Sequence, residues 1–97
     1  MNKTETQLLE MYDTLRESIR HYLSLKLMDT NENSPLTCNI VIDFEAFGLS
    51  TLNMPTIISM YQHPTEGIIY FKYEGVEEYI EFDNMLTEDL IIIIKYL

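Results

Sequence analysis

The first third of the chain places its apolar residues three and four positions apart, which is the spacing of one face of an α-helix. This spacing predicts a single long helix from residue 4 to about residue 28. Residues 29–35 are polar turn formers followed by a proline, so they end the helix. The apolar positions are Leu8, Met11, Tyr12, Leu15, Ile19, Tyr22, Leu23 and Leu27.

From residue 36 onwards apolar and polar residues alternate, which is the two-residue period of half-buried β-strands. The alternation predicts strands over residues 37–45, 56–62, 68–73 and 76–83, with a connection over residues 48–55. Pro64 and Gly67 predict the turn between the second and third strands. Glu74 and Gly75 predict a two-residue turn between the third and fourth strands. A four-stranded antiparallel meander is therefore expected.

The last eight residues have two interpretations. Four consecutive isoleucines favour a strand, whereas Thr87 as a helix cap and the carboxylates of Glu88 and Asp89 behind it favour a helix. We predict the helix and keep the strand as the alternative. The chain is then expected to form a single α+β domain over residues 1–97, with a long N-terminal helix, a four-stranded antiparallel meander sheet and a short C-terminal helix.

The two tight turns predict which side chains share a face of the sheet. The first turn sets Tyr61 opposite Tyr70, and the second sets Tyr70 opposite Tyr79, so three tyrosines form a row on one face. The other face is predicted to belong to the core. That core face consists of Ile58, Met60, Ile69, Phe71, Tyr73, Val76, Ile80 and Phe82.

Charge limits the classes of partner. The 97 residues contain 6 Lys plus Arg against 16 Asp plus Glu, a formal net charge of −10. Nucleic acids and anionic membranes attract basic surfaces, so neither is an expected partner. The charge is also uneven, because residues 1–35 have six acids and four bases while residues 36–97 have ten acids and two bases.

The tyrosine row and the carboxylates beside it form the most specific candidate site. Tyrosines supply apolar contact area with a polar tip, and carboxylates favour a basic partner. The alternative is ordinary cross-strand aromatic pairing, or burial of the row under the C-terminal helix. The candidate interaction surface comprises Tyr61, Tyr70, Tyr79, Glu77, Glu81 and Asp83.

No arrangement of residues predicts catalysis, a metal or a cofactor. Cys38, His21 and His63 lie on three different predicted elements and lack the short spacings of zinc ligands. The sequence contains neither a glycine-rich phosphate loop nor a nucleophile elbow, and no motif of a known family is apparent. We therefore do not expect an enzyme.

The expected function is that of a small acidic, non-enzymatic module that binds a basic protein through its sheet face, as an inhibitor, immunity protein or adaptor does. The alternative is a small-ligand-binding module whose pocket forms at a dimer interface. A single cysteine, the lack of a signal-like N-terminus and the lack of a long apolar run lead us to expect a cytoplasmic protein. A homodimer is a further expectation, with a contact at the C-terminal end of the long helix, where Leu23, Leu25, Leu27 and Met28 point in several directions.

Overall fold

The computed structural model of the chain describes residues 3–43 and 53–97. Its elements confirm the predicted α+β fold, including a helix in the isoleucine-rich C-terminal segment. In chain order they are α1 (Lys3–Lys26), β1 (Leu36–Asp43), β2 (Asn53–Gln62), β3 (Ile69–Tyr73), β4 (Ile80–Glu81), a 3-10 helix (Phe82–Asn84) and α2 (Thr87–Lys95). The end of the first predicted strand, at residues 44–45, lies outside the described residues, and β2 begins inside the predicted connection.

The four strands form an antiparallel sheet in the order β1-β2-β3-β4, as predicted for a meander. Across β2 and β3, Tyr61 lies opposite Tyr70 and Met60 lies opposite Phe71, so the predicted register of this hairpin is confirmed. The turn between them is closed by two backbone hydrogen bonds. The amide of His63 donates to the carbonyl of Ile68 (2.8 Å), and the amide of Gly67 donates to the carbonyl of His63 (2.9 Å).

The predicted register of the β3–β4 hairpin is wrong by two residues. The tight turn forms, with the Val76 amide donating to the Tyr73 carbonyl (3.0 Å) and Gly75 at a φ of 85°. The chain does not pair again until Ile80, so Glu81 rather than Tyr79 lies opposite Tyr70. An offset of two keeps each strand residue on its predicted face. Val76, however, belongs to the turn and is 44% exposed instead of lying in the core.

Both helices pack on one face of the sheet, which we call the covered face. The sheet side chains of the core share this face, since Met60 pairs with Phe71, and Phe71 pairs with Ile80. The other side is here called the open face. The buried core consists of Ile19, Leu23, Leu27, Ile40, Ile58, Met60, Ile69, Phe71, Phe82, Met85, Leu90 and Ile93.

Arg16 joins α1 to the segment that precedes α2. Its guanidinium donates to the carbonyls of Phe82 (3.0 Å) and Met85 (3.0 Å) and to the Thr87 hydroxyl (2.7 Å). The predicted role of Thr87 as a helix cap is therefore wrong. Leu86 occupies the cap position without a side-chain hydrogen bond, and the buried Thr87 hydroxyl accepts a hydrogen bond from Arg16 instead.

Two further contacts fix the helices over the sheet. The Thr30 hydroxyl donates to the Leu27 carbonyl (2.7 Å) and accepts from the Gln62 amide (3.0 Å), which ties the end of α1 to β2. The Tyr73 hydroxyl on the covered face donates to Oδ2 of Asp89 in the first turn of α2 (3.2 Å). These contacts hold both helices away from the open face.

Only the second half of α1 lies on the sheet. We call residues 16–26 the inner half and residues 4–15 the outer half. Leu23 and Leu27, which suggested a dimer contact at the end of the helix, are instead fully buried in the core, while Leu25 and Met28 are exposed. In the outer half every residue whose side chain is described is exposed. Although α1 is long, neither it nor any other helix in the described ranges is apolar enough over a sufficient length to cross a membrane.

Candidate protein-interaction surface

Three tyrosine rings meet on the open face, and we call them the tyrosine cluster. The rings of Tyr61 and Tyr70 stack with centroids 5.1 Å apart and planes at 22°. Tyr79 meets both edge-on, 5.1 Å from Tyr61 and 6.4 Å from Tyr70. These separations and angles lie within the ranges favoured by aromatic pairs. The predicted grouping of the three tyrosines is therefore present, although Tyr79 reaches it from outside β4.

The turn between β2 and β3 positions the first two rings. Gly67 has a backbone φ of 73°, a conformation that residues other than glycine rarely adopt. Nδ1 of His63 accepts hydrogen bonds from the amides of Thr65 (3.3 Å) and Glu66 (3.0 Å), which stabilises the same turn. Because this turn sets the register, it also sets Tyr61 beside Tyr70.

Tyr61 is only 6% exposed, although α1 and α2 both lie on the other face of the sheet. The rings of Tyr70 and Tyr79 pack against it, each with its centroid 5.1 Å from that of Tyr61. Burial raises the pKa of Tyr61, and the negative charge of Glu32 raises it further. Burial also raises the pKa of Tyr70, with Glu81 as the second cause. Both phenols are therefore protonated at neutral pH and can donate hydrogen bonds.

The hydroxyl groups of the tyrosine cluster are available to a partner. None of them forms a hydrogen bond within residues 3–43 and 53–97, and no described polar side-chain atom is both buried and unpaired. The hydroxyls therefore reach solvent while the rings pack against one another. Such a surface combines a rigid apolar area with polar tips, which is the chemistry that tyrosines bring to interfaces.

Of the three predicted carboxylates, Glu81 lies next to the cluster. Glu81 lies opposite Tyr70 in the sheet register and is exposed. Glu77 is exposed in the segment between the turn and β4, and it forms no ion pair with any described residue. Lys72 adds one positive charge, with its Nζ 5.6 Å from the centre of the Tyr79 ring.

Asp83 lies apart from the tyrosine cluster, on the side of α1, and its part in an interaction stays a prediction. The chain leaves the sheet at Phe82 and enters the 3-10 helix, which turns Asp83 towards α1. Its Oδ1 lies 2.7 Å from Nη2 of Arg20, and Nη1 of Arg20 lies 3.2 Å from Oε1 of Glu17. Strand alternation predicted the wrong side because it assumed that pairing continued to residue 83.

Val41 and Ile57 extend the open face beyond the predicted site. Each is 39% exposed, and Ile57 lies opposite Asn39 on β1, whereas Val41 lies opposite Pro55 on β2. Val41 is also the apolar residue that interrupts the alternation of the first predicted strand. The sequence therefore contained a signal for this extension, because Val41 is apolar at a position where the two-residue period requires a polar residue.

Metal ligands and a reactive thiol are two other kinds of site that the described residues can be searched for. Within the described ranges no three His, Cys, Asp or Glu side chains come together in an arrangement that could hold a metal ion. Burial raises the pKa of the Cys38 thiol, whose Sγ lies 3.9 Å from the carbonyl oxygen of Tyr96. A raised thiol pKa disfavours the reactive thiolate form.

A cleft of about 210 Å³ lies where α1 passes the start of β3. Arg20, Gly67 and Phe82 are among the residues that line it. Pockets that enclose small molecules usually have volumes of about 300–1,000 Å³. The volume of this cleft lies below that range.

The chain was compared with protein-family models, with curated proteins and with solved structures, and none of the three comparisons gives a match.

Proposed function

We propose that this chain is a non-enzymatic protein-interaction module that binds a basic protein surface through the open face of its sheet. Its mode of action would be that of an inhibitor, an immunity protein or an adaptor, and its place of action the cytoplasm. The supporting observation is the tyrosine cluster, which lies on the face opposite both helices and beside Glu81, whose carboxylate forms no ion pair with the described residues.

The geometry of the cluster favours binding over a purely structural role. A tyrosine loses little conformational freedom when it is already fixed by ring contacts, so less entropy is lost on association. The hydroxyls face solvent and can form hydrogen bonds that the free protein lacks. Val41 and Ile57 add exposed apolar area on the same face.

The charge distribution favours a basic partner. Residues 36–97 contain ten acidic and two basic residues, so the half of the chain that forms the sheet has most of the negative charge. Complementary charge accelerates association and rejects acidic competitors. Lys72 has its Nζ 5.6 Å from the centre of the Tyr79 ring, and neither Glu77 nor Glu81 forms an ion pair with a described residue, so both can pair with arginine or lysine side chains of a partner.

The test is charge reversal on this face, with affinity capture from a cell extract as the measurement. We expect Glu77→Lys with Glu81→Lys to remove the captured basic protein. Both side chains are exposed, so the thermal unfolding midpoint should change little.

The matched control reverses two carboxylates on the polar side of α1, Glu10→Lys with Asp13→Lys. This pair changes the net charge by the same amount, and both side chains are exposed. The control should capture the partner as the unaltered protein does. Equal loss in both variants would indicate an unspecific charge effect, and retention in the sheet-face variant would refute the proposal.

A further inference from the structure

The two edges of the sheet differ in length and regularity. β4 forms one edge, has only two residues and passes directly into the 3-10 helix. β1 forms the other edge, and all eight of its residues pair with β2 without interruption. Natural sheets usually protect such an edge with lysine, proline or a bulge, because its unpaired backbone groups attract further strands. β1 contains neither lysine nor proline and has no bulge in its pairing, so it lacks these protections.

The hydrogen bonds of β2 show which backbone groups of β1 point outward. The amide of Glu74 donates to the carbonyl of Ile57 (2.8 Å), so the backbone polar groups of Ile57 face β3. Asn39 lies opposite Ile57 and therefore belongs to a pair without mutual hydrogen bonds. Because backbone direction alternates along a strand, the amides and carbonyls of Thr37, Asn39 and Val41 all point away from β2.

Pro55 agrees with this assignment. It lies opposite Val41 and has no amide hydrogen, and a residue that faces away from β1 needs none for this pairing. In the part of the chain that the structure describes, no backbone group bonds to the outward amides and carbonyls of Thr37, Asn39 and Val41. Sγ of Cys38 lies 4.0 Å from the Asn39 carbonyl oxygen, a long contact that leaves the Asn39 amide free.

We infer that an extended segment of the basic partner pairs with β1 as a fifth strand, which rests on the proposed function and specifies how the partner binds. Strand addition is a recurring mode of peptide recognition, in which backbone hydrogen bonds supply affinity and alternate side chains supply specificity. Thr37, Asn39 and Val41 are exposed. The added strand would place alternate side chains beside them on the open face. It would therefore continue the surface that includes Ile57 and the tyrosine cluster.

Charge favours a basic segment over an acidic one and over a second copy of this chain. Residues 36–97 contain ten acidic and two basic residues, and the one charged residue of β1 is Asp43. A second copy would bring a further net charge of −10 to this edge. Like charges oppose such an approach, whereas a basic segment is attracted.

A synthetic peptide tests the inference. The probe alternates lysine and valine over eight residues, the length of β1. Binding, followed by NMR, should protect the amides of Thr37, Asn39 and Val41 from hydrogen exchange. The same peptide with glutamate in place of lysine should bind about tenfold more weakly or worse. Equal binding of the acidic peptide overturns the choice of a basic segment, and binding without protection of these amides overturns strand addition.

Asn39→Pro removes one outward amide and no hydrogen bond to β2, a position where sheets tolerate proline. It should weaken peptide binding about tenfold or more, because a backbone hydrogen bond is lost and its neighbours are obstructed. The matched control is Asn39→Ala, which removes the same side chain but keeps the amide, and it should bind as the unaltered chain does. Equal binding by the two variants, or no binding by the unaltered chain, overturns the inference. If Asn39→Pro does not fold, the exchange measurement on the unaltered chain is decisive.

These outcomes are distinct from those of the proposed function. Glu77→Lys with Glu81→Lys leaves the β1 edge unchanged. If that pair abolishes capture while both Asn39 variants bind the peptide equally, the open-face proposal stands and strand addition is refuted. If that pair retains capture, the proposed function is refuted whatever the peptide does at β1.

Discussion

The two halves of α1 share one apolar spacing and differ in what lies beneath them. The inner half buries Ile19 and Leu23 against the sheet and α2, whereas the outer half leaves Leu8, Met11 and Leu15 in solvent. The difference shows that amphipathic periodicity determines which side of a helix is apolar but not what that side contacts. It also separates residues that stabilise the single chain from residues available for association.

The largest expected effect is a loss of stability when a leucine in the inner half of α1 is shortened to alanine. The same change in the outer half is the comparison. Leu23 is fully buried, so Leu23→Ala should lower the free energy of unfolding by about 2–5 kcal/mol through lost burial and the cavity that remains. Leu15→Ala in the outer half should change it by less than about 0.5 kcal/mol under dilute, monomeric conditions. Urea unfolding of the two variants measures the difference. Similar losses would mean that the outer half is also packed in the single chain.

An intermediate effect on the free energy of unfolding is expected when either arginine of the inner half is replaced by methionine. Arg16→Met leaves the carbonyls of Phe82 and Met85 without their donor, and we expect a loss of about 1–3 kcal/mol. Arg20→Met removes exposed ion pairs to Glu17 and Asp83, for which about 1 kcal/mol or less is expected. The same unfolding measurement ranks the two. A larger loss for Arg20 would show that Arg16 does not anchor the helix.

The smallest expected effect is a loss of stability at alkaline pH, through the hydrogen bond that Tyr73 donates to Asp89 of α2. Burial, and then the charge of Asp89, raises the pKa of Tyr73 above its ordinary value of 10.0, so the folded state favours the protonated phenol. The contribution of the protonated Tyr73 phenol to the free energy of unfolding is complete below pH 10 and is lost as the pH rises above 10. The expected loss is about 1 kcal/mol near pH 10.5.

Two phenylalanine variants isolate this contribution to the pH dependence. Tyr73→Phe should reduce the loss of stability between pH 9 and pH 11, measured by urea unfolding at each pH. The control is Tyr12→Phe, which removes a phenol hydroxyl from the exposed outer half. If the two variants gave the same pH dependence, Tyr73 would not be its source.

The two hairpins show how far sequence could predict the sheet and the site. Pro64 and Gly67 defined the first turn, and the pairing of Tyr61 with Tyr70 followed from it. Glu74 and Gly75 defined the second turn equally well, yet pairing did not resume until Ile80. Turn residues fix local geometry, but whether a strand continues depends on packing elsewhere, here on Phe82 entering the core and Asp83 meeting Arg20. That is why Tyr79 and Glu81 were assigned to the correct face and Asp83 was not.

The sequence by itself determined the α+β class, the helix of the isoleucine-rich end and the side of each strand that faces the core. These features follow from short-range periods and turns, which are encoded by neighbouring residues. Only the tertiary structure decided that both helices share one face, leaving the tyrosine cluster on the open face and the outer half of α1 exposed. Burial is a property of contacts between distant segments, such as Arg16 with Thr87, and a one-dimensional pattern contains no direct record of those contacts.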